Sequence, residues 1–491
     1  MHLLNSYLPI YSLTAPVFLI FMAALAVVYR LTPRTMRAPL LLVASYFVYF
    51  EWNHWLTLLL AVITLVTYYL ALAIEAQKSK GKKQLSMAVG VAIVLLLLCA
   101  YKTYPFWRMH LSGALSQFRT NLIVPLGLSY YSFKLLSYIL DVYYEKTPAE
   151  KNLTAFATYV AFFPQMLAGP IQRSESFLPQ VEAAPNATWS LALLGIQRIL
   201  LGLFKKFVVA DNMAKLVDYV YTNLHLGGTP LILGFYIFPL QMYADFSGLT
   251  DIAIGSALLL GIETPENFIA PFAAPNISEF WRRWHITLTT WLTDYVFTPV
   301  RMTVREWGQT GLVFALFVNM IAIGLWHGVK LTYVTFGVLQ GAYLSVDALS
   351  RKTRKGWYKR SKLADRVTDW IGPVLTFHLF AFSLIFFRSP NMSDAFYLSG
   401  HPFSGLTHLS SEFVTFWGYW GRLIEVGFGG YVLIELGDYY RRHSEDGGAV
   451  LLLPRWARWS VYSCTAMSVL VAYVLLYVLA SGGGAFIYAA Y

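Results

Sequence analysis

The chain has 491 residues, of which 57% are hydrophobic and only 13% are charged. Soluble proteins carry about a quarter charged residues, so this composition excludes an ordinary water-soluble enzyme and indicates a protein embedded in lipid. The net charge of +11 comes from basic clusters beside apolar runs, as in the cytoplasmic loops of membrane proteins. We therefore expect these clusters to meet a lipid bilayer and not a nucleic acid.

Apolar runs with few charges recur along the whole chain and predict membrane-spanning helices, because one span needs about 20 apolar residues. The clearest runs are 15–29, 56–74, 86–101, 230–246, 311–326, 373–387 and 459–480. Weaker runs lie at 122–144, 154–170 and 189–210. The pattern predicts an all-α polytopic membrane protein with roughly eleven to thirteen membrane helices. No polar linker divides residues 1–491, so we predict a single membrane-embedded domain.

The first apolar run predicts the side of the membrane on which the chain starts. Its basic residues Arg30, Arg34 and Arg37 follow the run, which is the reverse of the order in a cleaved signal peptide. Basic residues beside a span mark its cytoplasmic end. We therefore expect a retained first span with an extracytoplasmic N-terminus.

One histidine lies in an apolar stretch that is too long for a single span. His327 falls within residues 312–346, where Lys330 is the only charge, and Gly324 and Gly328 flank it. Glycine favours helix ends and close backbone approach, so the sequence predicts a helix break at His327, in or near the membrane. An ionisable residue at such a depth is a candidate functional group. A hydrogen-bonded packing histidine is the structural alternative.

A second histidine ends the segment WRRWH at residues 281–285. Asn276, with Glu279 three residues later, predicts a helix start. From there the apolar residues follow i, i+3, i+4, i+7 spacing, which predicts one amphipathic helix. Its apolar face comprises Trp281, Trp284, His285, Leu288, Trp291 and Leu292, while Arg282 and Arg283 lie off that face. An interfacial anchor is the structural alternative, and it leaves the histidine on the apolar face unexplained.

Two more segments place polar residues in apolar surroundings. YADFSGLTDIAIG carries Asp245, Ser247 and Asp251 at the end of an apolar run. FFPQMLAGPIQR has a helix-breaking pattern of prolines and glycine. The acidic residues and the two histidines have no metal-ligand spacing, so no metal site is predicted.

Six segments together resemble the membrane-bound O-acyltransferase family, in its alginate O-acetyltransferase-like bacterial branch. They are VPLGLSYYSFKLLSYILDVY, FFPQMLAGPIQR, YADFSGLTDIAIG, PENFIAPF, SEFWRRWHITLTTWLTDY and GLWHGVKLTYVTFGVLQG. They follow the family's order over a core at about 100–345, and C-terminal helices follow at about 365–491. LIFFRSPNMSDAF and the terminal FIY are also similar to family segments.

The resemblance implies an enzyme of the bacterial inner membrane, with a ring of tilted transmembrane helices around a central funnel or tunnel. Such enzymes take an acyl group from a cytoplasmic thioester donor, acetyl-CoA or an acyl carrier protein. They deliver it, most often as acetyl, towards a hydroxyl of an exported or cell-surface polysaccharide, through an extracytoplasmic partner acyltransferase. The thioester is a substrate, and no bound cofactor is implied. The family's two histidines correspond to His327 in the WHG motif and to His285 in WRRWH.

Acyl transfer from a thioester requires a base for the attacking hydroxyl and a donor for the developing oxyanion. We predict His327 as the general base or acyl relay and His285 as the group that orients or polarises the acyl group. Further tunnel contacts to donor or substrate are predicted at Trp281, Arg282, Arg283, Trp284, Trp326, Asp245, Ser247 and Asp251. The two arginines suit donor phosphates and lipid phosphates equally.

Three alternatives remain open. D-alanyl transfer to teichoic acid belongs to a related branch, and this chain departs from the alginate-type pattern at Thr293 and at residues 298–300. A polytopic transporter or lipid-linked sugar flippase explains the spans and basic loops but not the conjunction of motifs. Haem binding by paired histidines predicts Soret absorbance in the purified protein, which we do not expect.

Overall fold

The computed structural model describes residues 13–110, 125–360, 362–411 and 413–443. The predicted span at 459–480, the terminal FIY and the start of the run at 122–144 lie outside these residues. In the described part of the chain, helices provide the regular structure, and the only extended pairing is one isolated bridge between Phe268 and Trp284. The all-α prediction is confirmed.

The described residues form two compact units, one within Met1–Ile199 and Leu249–Pro265 and the other within Leu200–Gly248 and Glu266–Tyr491. The helices that begin in the first unit are α1 (Pro16–Leu31), α2 (Arg34–Asn53), α3 (Thr57–Ala76), α4 (Lys80–His110), α5 (Leu128–Tyr143), α6 (Leu153–Ala161), α7 (Ser174–Ala183) and α8 (Trp189–Leu203). Those that begin in the second are α9 (Asp211–Thr222), α10 (Leu231–Leu259), α11 (Ile277–Trp281), α12 (Ile286–Leu292), α13 (Thr298–Thr303), α14 (Gly308–His327), α15 (Leu331–Arg360), α16 (Lys362–Arg388), α17 (Met392–Gly400), α18 (Leu406–Ser411) and α19 (Phe413–His443).

Four helical segments in the described residues are long and apolar enough to cross a membrane. They are Arg34–Ala76, Lys80–Tyr104, Arg305–His327 and Trp370–Arg388. The first of them contains both α2 and α3, and α1 is a shorter apolar helix. These segments support an integral membrane protein, while the larger span count stays a prediction.

The first unit buries a chain of polar side chains in an aromatic core. The Lys134 ammonium donates to the Tyr159 carbonyl oxygen at 2.9 Å and to the Gln165 Oε1 atom at 2.8 Å. The Gln165 Nε2 atom donates in turn to the Gln172 Oε1 atom at 2.6 Å. These bonds offset the cost of burying polar groups. Gln165 ends a 3-10 turn, Phe163–Gln165, which follows α6, so the helix break predicted in FFPQMLAGPIQR is confirmed.

The second unit contains the hairpin of α14 and α15, whose backbones touch. A Cβ atom at Gly324 would stand 2.2 Å from the Tyr333 carbonyl oxygen, and one at Gly337 would stand 2.5 Å from that of Met320. No side chain fits at such distances, so the two glycines are required for this approach. The hairpin fixes the position of the turn that carries His327.

Candidate active site

His327 ends a helix, as the sequence predicts. It is the last residue of α14, Gly328 follows in extended backbone, and α15 begins at Leu331. The side chain is buried, with 6% of its surface exposed. A Cβ atom at Gly328 would stand 2.8 Å from the Tyr333 ring, so the turn is packed as closely as the helices it joins.

Aromatic rings from three helices contact the His327 imidazole. The ring centroids lie 4.6 Å from that of Trp326 on α14, 6.3 Å from that of Tyr333 on α15 and 4.7 Å from that of Phe387 on α16. Packing of this kind restricts the space open to the imidazole. The structure therefore presents a buried histidine with aromatic neighbours from three helices, and a positioned catalytic base needs such support.

His285 does not lie within a helix. α11 ends at Trp281, α12 begins at Ile286, and His285 between them has left-handed backbone with φ of 44°. The prediction of one amphipathic helix through WRRWH is therefore wrong. Its predicted start is confirmed, because the Asn276 side chain caps α11 and accepts a hydrogen bond from the Glu279 N–H at 2.9 Å.

Tertiary backbone pairing explains the interruption. Phe268 and Trp284 form an antiparallel bridge, and the Ile286 N–H donates to the Asn267 carbonyl oxygen at 2.9 Å. In a continuous helix these backbone groups would bond to one another. Here they bond to the loop that precedes α11. A non-glycine residue at positive φ is strained, and such strain persists only where the surroundings over-determine it. His285 is held in that state.

The His285 imidazole is buried among aromatic rings, with 2% of its surface exposed. Its ring centroid lies 4.7 Å from that of Phe246 and 6.5 Å from that of Phe268, on which it stacks with an interplanar angle of 10°. Burial lowers the pKa of His285 to about 3, so the ring is neutral at physiological pH. Its Nε2 atom has no hydrogen-bond partner among the described residues. A buried polar atom without a partner costs free energy, so this nitrogen is a candidate contact for a substrate.

Trp326 is the common neighbour of both histidines. The centroid of its ring lies 6.0 Å from that of His285 and 4.6 Å from that of His327. The structure therefore brings together three of the residues that the sequence predicts for the site.

Asn267 is a residue that the sequence reasoning missed. It is fully buried, and its Oδ1 atom accepts hydrogen bonds from the N–H of Thr287 at 3.3 Å and from its hydroxyl at 2.9 Å. Its Nδ2 atom has no partner among the described residues. Asn267 lies within the family segment PENFIAPF, but its contact with Thr287, 20 residues later in the chain, leaves no local signal in the sequence. These bonds tie the loop to the first turn of α12, directly after His285.

The two other predicted tryptophans have packing roles in the structure. The Trp281 Nε1 atom donates to the Gln340 Oε1 atom at 3.0 Å, and the Gln340 Nε2 atom donates to the Ser383 hydroxyl at 2.8 Å. This chain joins α11 to α15 and α16. The Trp284 ring lies 5.0 Å from that of Phe380 on α16.

The two predicted arginines differ in exposure. The Arg282 side chain is 63% exposed and forms an ion pair with Glu279. Arg283 is half-buried, and its Nη1 atom donates to the Ala273 carbonyl oxygen at 3.3 Å. Arg282 is thus the more accessible of the two to a phosphate group.

The predicted acidic residues are engaged in ion pairs. The Lys206 ammonium lies 2.9 Å from the Asp245 carboxylate and 2.7 Å from that of Asp211, in the second unit. Asp251 pairs with Arg198 in the first unit. Ser247 is buried, and its hydroxyl has no partner in the described part of the chain. Charge pairing therefore accounts for the burial of both aspartates, and no substrate contact is needed to explain it.

The long apolar helices indicate an integral membrane protein, in which two buried histidines share Trp326 as a neighbour. The chain belongs to the membrane-bound O-acyltransferase family, whose model matches residues 41–387. It is therefore an acyltransferase, and both histidines lie within the matched residues.

Individual relatives agree with this assignment. The chain is 34% identical over 405 residues to the probable alginate O-acetylase of Pseudomonas aeruginosa, a match that covers 80% of this chain and 75% of that protein. It is 31% identical over 413 residues to a peptidoglycan O-acetyltransferase of Helicobacter pylori, covering 76% and 75%. It is 30% identical over 280 residues to a teichoic acid D-alanyltransferase of Bacillus subtilis, covering 54% and 69%. The resemblance to the alginate O-acetyltransferase-like branch is confirmed.

Proposed function

We propose that this protein moves an acetyl group from a cytoplasmic thioester donor across the membrane for O-acylation of an exported or cell-surface polysaccharide. The observation that carries the proposal is the buried His285, whose Nε2 atom has no hydrogen-bond partner in the described part of the chain. Trp326 is a neighbour of both His285 and His327. The similarity to two O-acetyl-transferring relatives over about three quarters of the chain supports acetyl as the group. D-alanyl transfer is the second candidate, supported by the shorter match to a teichoic acid D-alanyltransferase.

In the proposed reaction, the His327 imidazole takes the proton of the acceptor hydroxyl as the hydroxyl oxygen attacks the thioester carbonyl carbon. The new C–O bond forms, the C–S bond breaks, and the thiolate leaves with the proton from His327. His285, in its Nε2–H tautomer, donates to the carbonyl oxygen as negative charge develops there. A neutral imidazole suits this role because it can donate from Nε2 without first gaining a proton.

The family and the basic clusters support a proposed membrane arrangement. We place the enzyme in the bacterial inner membrane with an extracytoplasmic N-terminus and roughly eleven to thirteen membrane helices around a tunnel. The exposed Arg282 is placed at the phosphates of the donor, acetyl-CoA or an acyl carrier protein. An extracytoplasmic acyltransferase is the expected partner that passes the group to the polymer.

Thioester turnover tests this proposal. Purified full-length protein is incubated with a soluble hydroxyl acceptor and with radiolabelled acetyl-CoA or, separately, acetyl-loaded or D-alanyl-loaded carrier protein, and thiol release is measured. We expect release from an acetyl thioester, and none from the His327→Ala variant at equal protein concentration. Release from the D-alanyl thioester alone would favour the second candidate. No release from any donor would contradict acyl transfer and revive the transporter alternative.

A further inference from the structure

Helix α19 lies beyond the residues that the family model matches, yet one of its side chains bonds to a residue beside the site. Asp438 is 6% exposed, and its Oδ2 atom accepts a hydrogen bond from the Tyr243 hydroxyl at 2.6 Å. Tyr243 lies on α10 and is fully buried. An O–H···O⁻ bond between two buried groups is among the stronger hydrogen bonds in proteins. It fixes the tyrosine hydroxyl from outside the family core.

The other end of Tyr243 packs on the pair of residues that shapes the bend at His285. The Tyr243 ring centroid lies 5.8 Å from that of Phe268 and 6.2 Å from that of Trp284. These two residues form the backbone bridge next to His285, and the Phe268 ring stacks on its imidazole. The Lys205 ammonium lies 5.7 Å from the Tyr243 ring centroid, so the tyrosine is held at its ring as well as at its hydroxyl.

We propose that Asp438 is a positioning residue for acyl transfer, which acts through Tyr243 on the Phe268–Trp284 pair and so on His285. This inference rests on the role proposed above for His285. His285 has strained backbone, which relaxes when its supports are weakened. A misplacement of about 1 Å at a reacting group can cost about a hundredfold in rate. A substitution of Asp438 should therefore displace His285 and lower the rate of acyl transfer.

A purely structural role, in which Asp438 only docks α19, predicts something different. α19 has other contacts within the second unit. The Trp420 ring lies 4.9 Å from that of Tyr219 on α9, and Tyr431 and Ile434 are buried. Docking of the helix therefore does not depend on Asp438 alone. Loss of the Asp438 carboxylate should alter the position of His285 while α19 stays docked.

Kinetics of full-length variants test the inference. Asp438→Ala and Tyr243→Phe each remove the bond, and we expect each to lower kcat by roughly ten- to a hundredfold with the donor KM unchanged. The double variant should lose no more than either single variant, because both act through one bond. Asp438→Asn keeps an acceptor and should restore most of kcat. Glu435→Ala is the matched control, since Glu435 accepts from Tyr431 of its own helix.

A second measurement does not depend on turnover. His285 is buried and should resist diethyl pyrocarbonate in the wild type, with the half-exposed His225 as internal reference. Mass spectrometry should show faster modification of His285 in Asp438→Ala and Tyr243→Phe than in Glu435→Ala. Unchanged His285 reactivity in both variants would overturn the inference, as would additive kcat losses in the double variant. If the wild type releases no thiol, the proposed function fails, and the footprint still decides whether Asp438 positions His285.

Discussion

At the scale of single residues, burial determines what each histidine can do. His285 is neutral because desolvation disfavours its charged form and lowers its pKa. Its Nε2 atom, which has no partner among the described residues, is proposed to act as a hydrogen-bonding group and not as a charge. His327 is held by rings from three helices, which fix its direction. The two roles proposed for the histidines follow from these different surroundings.

The depressed pKa of His285 predicts an acid-sensitive stability. Below pH 6.5 the unfolded chain binds a proton at this position while the folded protein, with a pKa of about 3, does not. Acid therefore favours the unfolded state, and lowering the pH from 7.5 to 5 should cost roughly 2 kcal/mol through this one group. His285→Gln cannot titrate and should lose less stability over the same range.

Thermal unfolding in detergent at the two pH values measures this difference. Equal acid shifts in the wild type and in His285→Gln would show that His285 is not the buried neutral group described above.

At the scale of elements, both histidines lie at helix ends. The sequence predicted the helix end at His327 but not the one at His285. Gly324 and Gly328 indicated a helix break at His327, because glycine favours a helix end through its own backbone conformation and this preference is visible in the sequence. The break before His285 has no local signal, since 3.6-residue periodicity continues across it. Pairing with the loop at Asn267 and Phe268 overrides that periodicity, and one sequence does not reveal such a tertiary hydrogen bond.

Asn267 should prove to be the anchor of this bend. Asn267→Ala removes both bonds to Thr287, and each lost hydrogen bond costs about 1 kcal/mol or more. We expect lower thermal stability and a fall in kcat. Thr287→Val removes only the hydroxyl bond and should have a smaller effect on both.

Comparison of Asn267→Ala with Thr287→Val separates loss of the bend at His285 from a general loss of packing. Asn319→Ala serves as control, because it removes another buried amide of the second unit, whose side-chain nitrogen lies 4.0 Å from the Met320 sulfur. Wild-type kcat in Asn267→Ala would contradict the anchoring role.

At the scale of the whole molecule, composition and the order of motifs were enough to predict an all-α membrane acyltransferase. Low charge identified the lipid environment, and six motifs in sequence order identified the family. The division into two units was not predicted, because one boundary falls inside α10 and leaves no polar linker. The hydrogen bond between Asp438 on α19 and Tyr243 on α10 was not predicted either. The two residues are far apart in the sequence, and only the tertiary fold brings them together.

The central claim is that His327 performs acyl transfer at this site, and polymer acetylation in cells tests it most directly. A strain lacking its own copy is complemented with the wild type, with His327→Ala, or with His378→Ala as a control histidine in another apolar segment. The O-acetyl ester content of the exported polysaccharide is measured at matched protein abundance in the membrane. A general base contributes at least about a hundredfold, so esters should be undetectable with His327→Ala and normal with His378→Ala. Wild-type ester content with His327→Ala would contradict the claim.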